Sequence, residues 1–131
     1  MKYGYAALPA LMLIAAISVF ADDKVADISH EELSKAVKEG KVVLIDCNGT
    51  DSYKAGHIPG AVDFATEKAK LAEKLPADKS ALVVAYCGNP QCNAYQAGAT
   101  EAKKLGYTNV KHYSGGISGW KKAGEKTAEA K

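Results

Sequence analysis

Short runs of apolar residues recur along the chain, and glycine-rich or polar segments separate them. Val42–Ile45 and Ala81–Tyr86 are apolar at nearly every position, and Asn109–Tyr113 is a further predicted strand. Continuous apolar runs of this length are typical of parallel strands that helices cover on both faces. Segments with helical spacing lie between the runs. This alternation predicts an α/β domain with a mainly parallel sheet flanked by helices on both faces.

The first helix has clear signals at both ends. Ser29 and Glu32 have the spacing of a capping box, Leu33 and Val37 form an apolar stripe, and Gly40 follows the last turn. A capping box satisfies the free N–H groups of a helix start, and a glycine after the last turn is a common helix end. The sequence therefore predicts a helix that starts after Ser29 and stops at Gly40.

Other segments carry less complete signals. A helix is predicted over Asn93–Leu105, where Gly106 ends it, and another over Thr66–Leu75, where Pro76 ends it. The remaining predictions are a turn at Asn48–Asp51, a short strand at Val62–Phe64, a glycine-rich turn at Ser114–Trp120 leading into a short last helix, and a frayed tail from Gly124.

The N-terminus predicts a secretory signal peptide, residues 1–21. Ala6–Phe20 is almost wholly apolar, and Ala21 closes an acceptable cleavage site. An uncleaved membrane anchor is the alternative, but this run of 15 residues is shorter than the ~20 that a spanning helix needs. Cleavage leaves one domain of 131 − 21 = 110 residues, residues 22–131. We expect it in the oxidising periplasm, without stable membrane insertion.

Charge and composition exclude several kinds of partner. The formal net charge of +2 is too small to indicate nucleic acid or an anionic membrane as a partner. All 17 basic residues are lysines, so no arginine is present to grip an oxyanion. The three cysteines and three histidines show no paired spacing typical of zinc ligands, and no metal or cofactor is predicted.

One stretch indicates chemistry. Cys87 lies where the Ala81–Tyr86 strand is predicted to turn into the following helix. The start of a helix and the N–H groups of a tight loop favour a thiolate and bound anions. We therefore expect Cys87 to be an ionised nucleophile that carries transferable sulfur. The predicted substrate-binding loop consists of Gly88, Asn89, Pro90, Gln91, Cys92 and Asn93.

Several separated motifs make the chain resemble the rhodanese family of sulfurtransferases. The resemblance covers Ile28 to about Gly124, so the domain core is expected at about 28–124. It implies the rhodanese α/β fold and a persulfide on Cys87. It also implies a small sulfur-containing anion such as thiosulfate, or another donor such as polysulfide, and a thiol or cyanide as acceptor. The motifs are Leu44–Asp46, Tyr53 with Gly56–Ala61, Tyr86–Cys87, Gly106–Val110 and Gly115–Trp120.

The loop departs from the family pattern at three positions. Asn48 and Cys92 stand where many members have arginine, and Asn93 replaces a common serine. The resemblance therefore implies a pocket without its usual fixed cation and weak binding of thiosulfate. Lys54 or another lysine is a candidate substitute.

Each candidate residue also has a structural interpretation. Cys87 as a merely buried thiol is disfavoured by its position in a Gly/Asn/Pro loop. Cys92 is interpreted as structural, with a resolving or disulfide-forming role as the alternative. Cys47 is interpreted as a residue of the hydrophobic core. Asp46 and His57 are expected to brace loops, and proton transfer by either is the alternative; Asn48 completes the supporting set.

Three functions compete. The first is sulfur transfer through a Cys87 persulfide. The second is a binding module for sulfur species or a partner, with little turnover. The third is thiol–disulfide exchange by Cys87 and Cys92. Cysteine-phosphatase chemistry is excluded because its dianion clamp needs an arginine.

Overall fold

The computed structural model describes residues 24–131, and the predicted signal peptide lies outside this part of the chain. Strands and helices alternate along it, as the apolar pattern predicts. The strands are β1 (Ala26–Asp27), β2 (Val43–Asp46), β3 (Val62–Asp63), β4 (Val83–Tyr86) and β5 (Val110–Tyr113). The helices are α1 (His30–Glu39), α2 (Thr50–Ala55), α3 (Phe64–Glu67), α4 (Leu71–Lys74), α5 (Tyr95–Lys104) and α6 (Gly116–Lys122), with a 3-10 turn at Lys68–Lys70.

The five strands form one sheet in the order β1-β5-β4-β2-β3, and every pairing is parallel. The central strand β4 lies between β5 and β2. Asp46 at the end of β2 is paired with Tyr86 at the end of β4. The segments that follow these two residues therefore leave the sheet at the same edge, which is where ligands bind in open α/β sheets.

Hydrophobic clusters cover both faces of the sheet, as predicted. One cluster packs Ile45, Val83 and Ala85 against Ala99 and Ala102 of α5. The other surrounds Leu44, Val84 and Tyr86 with residues that include Leu33 of α1 and Trp120 of α6. Burial on both faces explains why the central strands are continuous apolar runs.

The boundaries of α1 are as predicted. Ser29 Oγ accepts the N–H of Glu32 at 3.2 Å, and Gly40 adopts a left-handed conformation with φ 66° while its N–H reaches the last carbonyls. Gly106, with φ 97°, similarly follows α5. Local chemistry was sufficient at these ends because the groups that satisfy the helix termini are adjacent in sequence.

Two predictions about local structure are wrong. The predicted turn at Asn48–Asp51 runs into α2, which starts at Thr50. Thr66–Leu75 is a broken set of short helical turns, and its first helix starts earlier because Asp63 Oδ1 accepts the N–H of Ala65 at 3.1 Å. Within 64–75 only Phe64, Leu71 and Leu75 are buried. A continuous helix there would gain little from packing, which is the main source of helix stability in proteins.

The C-terminal tail from Gly124 is hydrogen-bonded to the rest of the domain, so the prediction that it is frayed is wrong. Ala128 pairs with His57 through two backbone hydrogen bonds of 2.9 and 2.8 Å, and the N–H of Ala130 donates to Lys54 O. The partners of this tail lie far back in the sequence, and no local pattern encodes them. Among residues 24–131, no helix has the length and apolar character to cross a membrane.

Candidate active site

Cys87 is the first residue after β4, and it is 2% exposed. The loop that it opens is held from the far side by the start of α6. The N–H of Ile117 donates to Cys87 O at 2.9 Å, and the N–H of Ser118 donates to Gly88 O at 3.0 Å. The start of the loop is therefore fixed by main-chain bonds to a segment nearly thirty residues further along the chain.

Gly116 allows this close approach. Its φ is +62°, and a Cβ at this position would lie 2.6 Å from Cys87 O and 2.8 Å from Asn89 N. These neighbours are backbone atoms, which cannot rotate away as a side chain does. A glycine is therefore required here both for its conformation and for the contact with the loop.

The N–H groups of the loop point at two different acceptors, the Cys87 sulfur and the Asn89 side chain. Those of Gly88 and Tyr95 point at the Cys87 sulfur, and both lower its pKa. The N–H groups of Gln91 and Cys92 donate instead to Asn89 Oδ1, at 3.0 and 3.1 Å. Not every amide of the predicted substrate-binding loop therefore faces the sulfur. Side-chain capping by Asn89 removes two of them.

Cys87 and Cys92 are in contact. The Cys87 thiol forms a hydrogen bond with Cys92, and the N–H of Gly88 interacts with both sulfurs. Burial raises the pKa of Cys87, and the Cys92 contact raises it further. The same contact lowers the pKa of Cys92, which the N–H groups of Gly88 and Ala94 also stabilise as a thiolate. Cys92 is therefore the more readily ionised of the two, chiefly because the hydrogen bond from Cys87 favours its thiolate. Ionisation of Cys87 stays a prediction.

Cys47 is half-buried and packs against the hydrophobic core. Burial raises its pKa to about 12, so it is a neutral thiol at neutral pH. It packs against α5 at Gly98, where an added Cβ would lie 2.7 Å from Cys47 Sγ. The three cysteines are free in this structure, and each occupies a different environment.

Asp46 braces the edge of the sheet below the loop. It is fully buried, and it accepts hydrogen bonds from the Tyr86 hydroxyl at 2.7 Å and from the N–H of Asn48 at 2.9 Å. The Tyr86 oxygen in turn accepts the N–H of Ile58 at 3.0 Å. Burial raises the pKa of Asp46. Its contacts are those of a loop-bracing carboxylate. The Asn48 side chain lies beside the loop, 3.4 Å from where a Cβ on Gly88 would be.

His57 braces the neighbouring loop. Its Nδ1 lies 2.7 Å from Tyr53 O, a distance at which Nδ1–H donates to the carbonyl. Its ring stacks on Tyr53 with centroids 3.8 Å apart. The Tyr53 hydroxyl donates to Ala61 O at 2.7 Å. The side-chain contacts of His57 are thus structural ones.

The rest of the predicted loop is exposed. Asn89, Pro90, Gln91 and Asn93 all reach solvent. Asn93 does not cap α5 with its side chain; the helix begins at Tyr95, and only the Asn93 carbonyl is used, by the N–H of Gln96 at 3.1 Å.

The candidate substitute cation lies at another site. Lys54 lines a cavity of about 320 Å³ together with Tyr53, Asp63 and Thr66, and Cys87 is not part of that lining. No group of three or more His, Cys, Asp or Glu side chains between residues 24 and 131 is arranged to hold a metal ion.

Sequence reasoning missed three contributors to the site. Tyr95 donates a main-chain N–H to Cys87, Gly116 supports the loop, and Tyr86 connects Asp46 to Ile58. Tyr95 carries no local signal because the interaction uses its backbone. The Gly115–Gly116 pair was a usable signal, since adjacent glycines indicate close approach or unusual backbone conformation.

The five-stranded parallel sheet with helices on both faces defines the rhodanese-like class of α/β domains that the motifs predict. A family model for the rhodanese-like domain matches residues 29–123, and the chain belongs to this family. Among curated relatives, the thiosulfate sulfurtransferase GlpE of Coxiella burnetii is 32% identical over 95 residues, which cover 72% of this chain and 85% of GlpE.

Two further comparisons agree. The HTH-type transcriptional regulator Rv0324 of Mycobacterium tuberculosis is 30% identical over 86% of this chain, but the chain spans only 55% of that regulator. The crystal structure of the BH2092 protein of Bacillus halodurans has a TM-score of 0.63 and 28% identity, covering 79% of this chain and 77% of that one. The family and fold support sulfur transfer as the general class of activity.

Proposed function

We propose that this protein is a sulfurtransferase that carries sulfane sulfur as a persulfide on Cys87. The observation that supports this most directly is the convergence of the Gly88 and Tyr95 N–H groups on the Cys87 sulfur. Amide donors fixed in a buried site stabilise a negative charge more effectively than mobile water does. They are suited to holding both the attacking thiolate and the persulfide anion that replaces it.

The neighbouring thiol supplies a route for the Cys87 proton. Cys92 ionises first and accepts a hydrogen bond from Cys87. Transfer of that proton gives a Cys87 thiolate and a neutral Cys92. The thiolate attacks the outer sulfur of the donor, the sulfur–sulfur bond of the donor breaks, and its electron pair leaves with the remaining fragment. For thiosulfate that fragment is sulfite.

The charge of the site favours some donors over others. The chain contains no arginine, and the Cys87–Cys92 pair carries a negative charge once Cys92 is ionised. Thiosulfate is a dianion, so it meets repulsion without a fixed cation to offset it. We therefore expect thiosulfate to load Cys87 slowly.

The proposed setting follows from the N-terminal sequence. A signal peptide at residues 1–21 would deliver the domain to the periplasm, with a small thiol or cyanide as the sulfur acceptor. Neither nucleic acid nor a stable membrane association is part of this proposal.

Intact mass spectrometry tests the proposal. Residues 22–131, reduced and incubated without oxygen with polysulfide or thiosulfate, should gain one sulfur atom. Quenching within the first turnover, with a thiol-blocking reagent, keeps the initial adduct. Peptide mapping should place the sulfur on Cys87, and Cys87→Ser should abolish the gain.

Cys47→Ser is the matched control, because it removes a half-buried thiol from the same edge of the sheet and should leave uptake intact. Uptake that persists in Cys87→Ser, with the sulfur on Cys92, would contradict the assignment of the nucleophile. If the wild-type chain takes up no sulfur from either donor, the binding-module interpretation replaces the enzyme.

Thiol–disulfide exchange is the second candidate, and the direct contact between Cys87 and Cys92 favours it. It predicts a Cys87–Cys92 disulfide that exchanges with dithiols in the absence of any sulfur donor. Incubating the oxidised chain with a dithiol, followed by mass spectrometry, separates this activity from persulfide uptake.

A further inference from the structure

We propose that Cys92 is a resolving thiol: it attacks the Cys87 persulfide, releases sulfide, and closes a Cys87–Cys92 disulfide. This inference rests on the proposed persulfide at Cys87 and specifies how that persulfide is discharged. The product would be hydrosulfide rather than a sulfur-loaded acceptor. The protein would then act as a sulfane-sulfur reductase that external dithiols reset.

The placement of the two sulfurs supports this role. Cys92 contacts Cys87 directly, and the N–H of Gly88 points at both sulfurs. Cys92 is also held in place by its own backbone, since its N–H donates to both Asn89 Oδ1 and Asn89 O at 3.1 Å. The second thiol is therefore fixed beside the nucleophile and does not have to be recruited by a loop movement.

The difference in exposure assigns the roles. Cys87 is 2% exposed, whereas Cys92 is partly exposed. A bulky acceptor in solution has little access to a sulfur as enclosed as Cys87. Cys92 already contacts it and is itself accessible to a reductant.

The sulfur that Cys92 attacks follows from leaving-group chemistry. Attack on the outer sulfur would expel Cys87, whose pKa is raised by burial. Attack on the inner sulfur, which is Cys87 Sγ itself, expels hydrosulfide into solution. A leaving group of lower pKa departs faster in thiol–disulfide exchange, and Cys87 Sγ is the sulfur that Cys92 already contacts.

The step balances without an added oxidant. Loading leaves a neutral Cys92 beside the Cys87 persulfide anion, and the Cys92 proton first moves to the outer sulfur. The Cys92 thiolate and the protonated persulfide Cys87–S–SH then give Cys87–S–S–Cys92 and HS⁻. One sulfur–sulfur bond breaks and another forms. The sulfane sulfur is reduced to sulfide, and the two cysteines are oxidised to the disulfide. A dithiol then reduces the disulfide by two successive exchanges and restores both thiols.

A single-turnover experiment tests the proposal. Residues 22–131, reduced and freed of reductant under anaerobic conditions, are incubated with thiosulfate, whose own by-product is sulfite and not sulfide. The wild-type chain should release about one equivalent of sulfide per chain after its transient gain of sulfur. Its final mass should fall by two hydrogens, and peptide mapping should show the Cys87–Cys92 disulfide. Omitting thiosulfate should give neither sulfide nor disulfide.

Cys92→Ser and Cys92→Ala separate the two proposals. Both should gain one sulfur on Cys87, more slowly than the wild type because the acceptor of the Cys87 proton is gone, and should then keep it and release no sulfide. Cys47→Ser should behave as the wild type does. A wild-type chain that accumulates a stable Cys87 persulfide, or that moves the sulfur to Cys92 without sulfide release, overturns the resolving role and leaves the Cys87 proposal standing. Failure of wild type and both Cys92 variants to take up sulfur, with each shown to be folded by circular dichroism, overturns both proposals.

Discussion

The three cysteines show how strongly a residue's properties depend on its surroundings. Cys47 packs into the core, Cys87 is enclosed but faces two amide N–H groups, and Cys92 is partly exposed beside it. Desolvation penalises the thiolate in the first two cases, and hydrogen bonds favour it in the third. Three side chains of one type thus become a neutral thiol packed against the core, an enclosed thiol beside two amide donors, and a more accessible thiol with a lowered pKa.

Burial of Cys47 should make the protein less stable in alkali. Its folded pKa of about 12 exceeds the ordinary value of 9.0, so the stability linked to its proton is complete below pH 9.0 and is lost as pH rises towards 12. Above pH 9.0 the unfolded thiol ionises while the folded one does not. One such proton changes the free energy of unfolding by at most about 1.4 kcal/mol per pH unit.

Urea unfolding of the wild type and Cys47→Ala from pH 8 upwards measures this effect. The alkaline decline should be shallower in the variant, whatever its absolute stability. Parallel declines would show that Cys47 is not held protonated by the fold.

At the scale of elements, the site is a contact between two loops and the helices that follow them. The loop after β4 supplies Cys87, and the turn into α6 supplies the main-chain donors that hold it. The strand order places β5 next to β4, so these two loops leave neighbouring strands at one edge of the sheet. At Gly116 the two backbones approach each other so closely that no Cβ fits between them.

Gly116→Ala should therefore disturb the loop more than its backbone conformation alone explains. Gly124→Ala is a matched control, because Gly124 also has a positive φ, +80°, but has nothing within 4 Å of an added Cβ. The control should lose about 1–2 kcal/mol of folding free energy and keep sulfur uptake. Gly116→Ala should lose more stability, and its uptake should fall by at least tenfold, because displacing the loop by even 1 Å can cost about 100-fold in rate. Equal effects of the two substitutions on uptake would show that the contact does not matter.

For the whole molecule, the C-terminal tail connects regions that are far apart in sequence. Glu125 accepts a hydrogen bond from Ser34 at 2.9 Å and lies 3.3 Å from His30 Nε2. The indole N–H of Trp120 donates to Lys126 O at 2.8 Å. With the Ala128 pairing, these bonds fasten the tail across α1, α6 and the loop that contains His57.

Removing residues 125–131 should destabilise the domain. The truncation leaves the buried Trp120 N–H without its partner and exposes the His57 backbone, at a cost of about 2–5 kcal/mol for several lost hydrogen bonds. Urea unfolding at neutral pH measures the loss. An unchanged midpoint would mean that the tail contributes no net stability.

Glu125→Gln is the matched comparison, because it keeps the main-chain contacts. The hydrogen bond from Ser34 lowers the pKa of Glu125 below its ordinary 4.5. The stability that the ionised Glu125 carboxylate contributes is therefore present above pH 4.5 and is lost as pH falls through the folded pKa. The difference between wild type and Glu125→Gln should shrink in acid.

Local sequence was sufficient wherever the interacting groups are neighbours along the chain. The apolar runs predicted the buried strands, because a strand covered on both faces is apolar at consecutive positions. Ser29, Gly40 and Gly106 set helix ends, because a helix cap uses residues close to it in the sequence. The sequence also located Cys87 between β4 and α5. The broken segment at 64–75 shows the limit, since its course depends on packing against the sheet.

Only the tertiary structure decided the state of the site. Whether Cys87 or Cys92 ionises first depends on how deeply each lies and on which amides reach it, and Tyr95 and Gly116 come from different parts of the chain. The same holds for the tail, whose partners lie on α1, α6 and the His57 loop. Desolvation and long-range hydrogen bonds arise from three-dimensional neighbours, and the order of residues along the chain does not specify those neighbours locally.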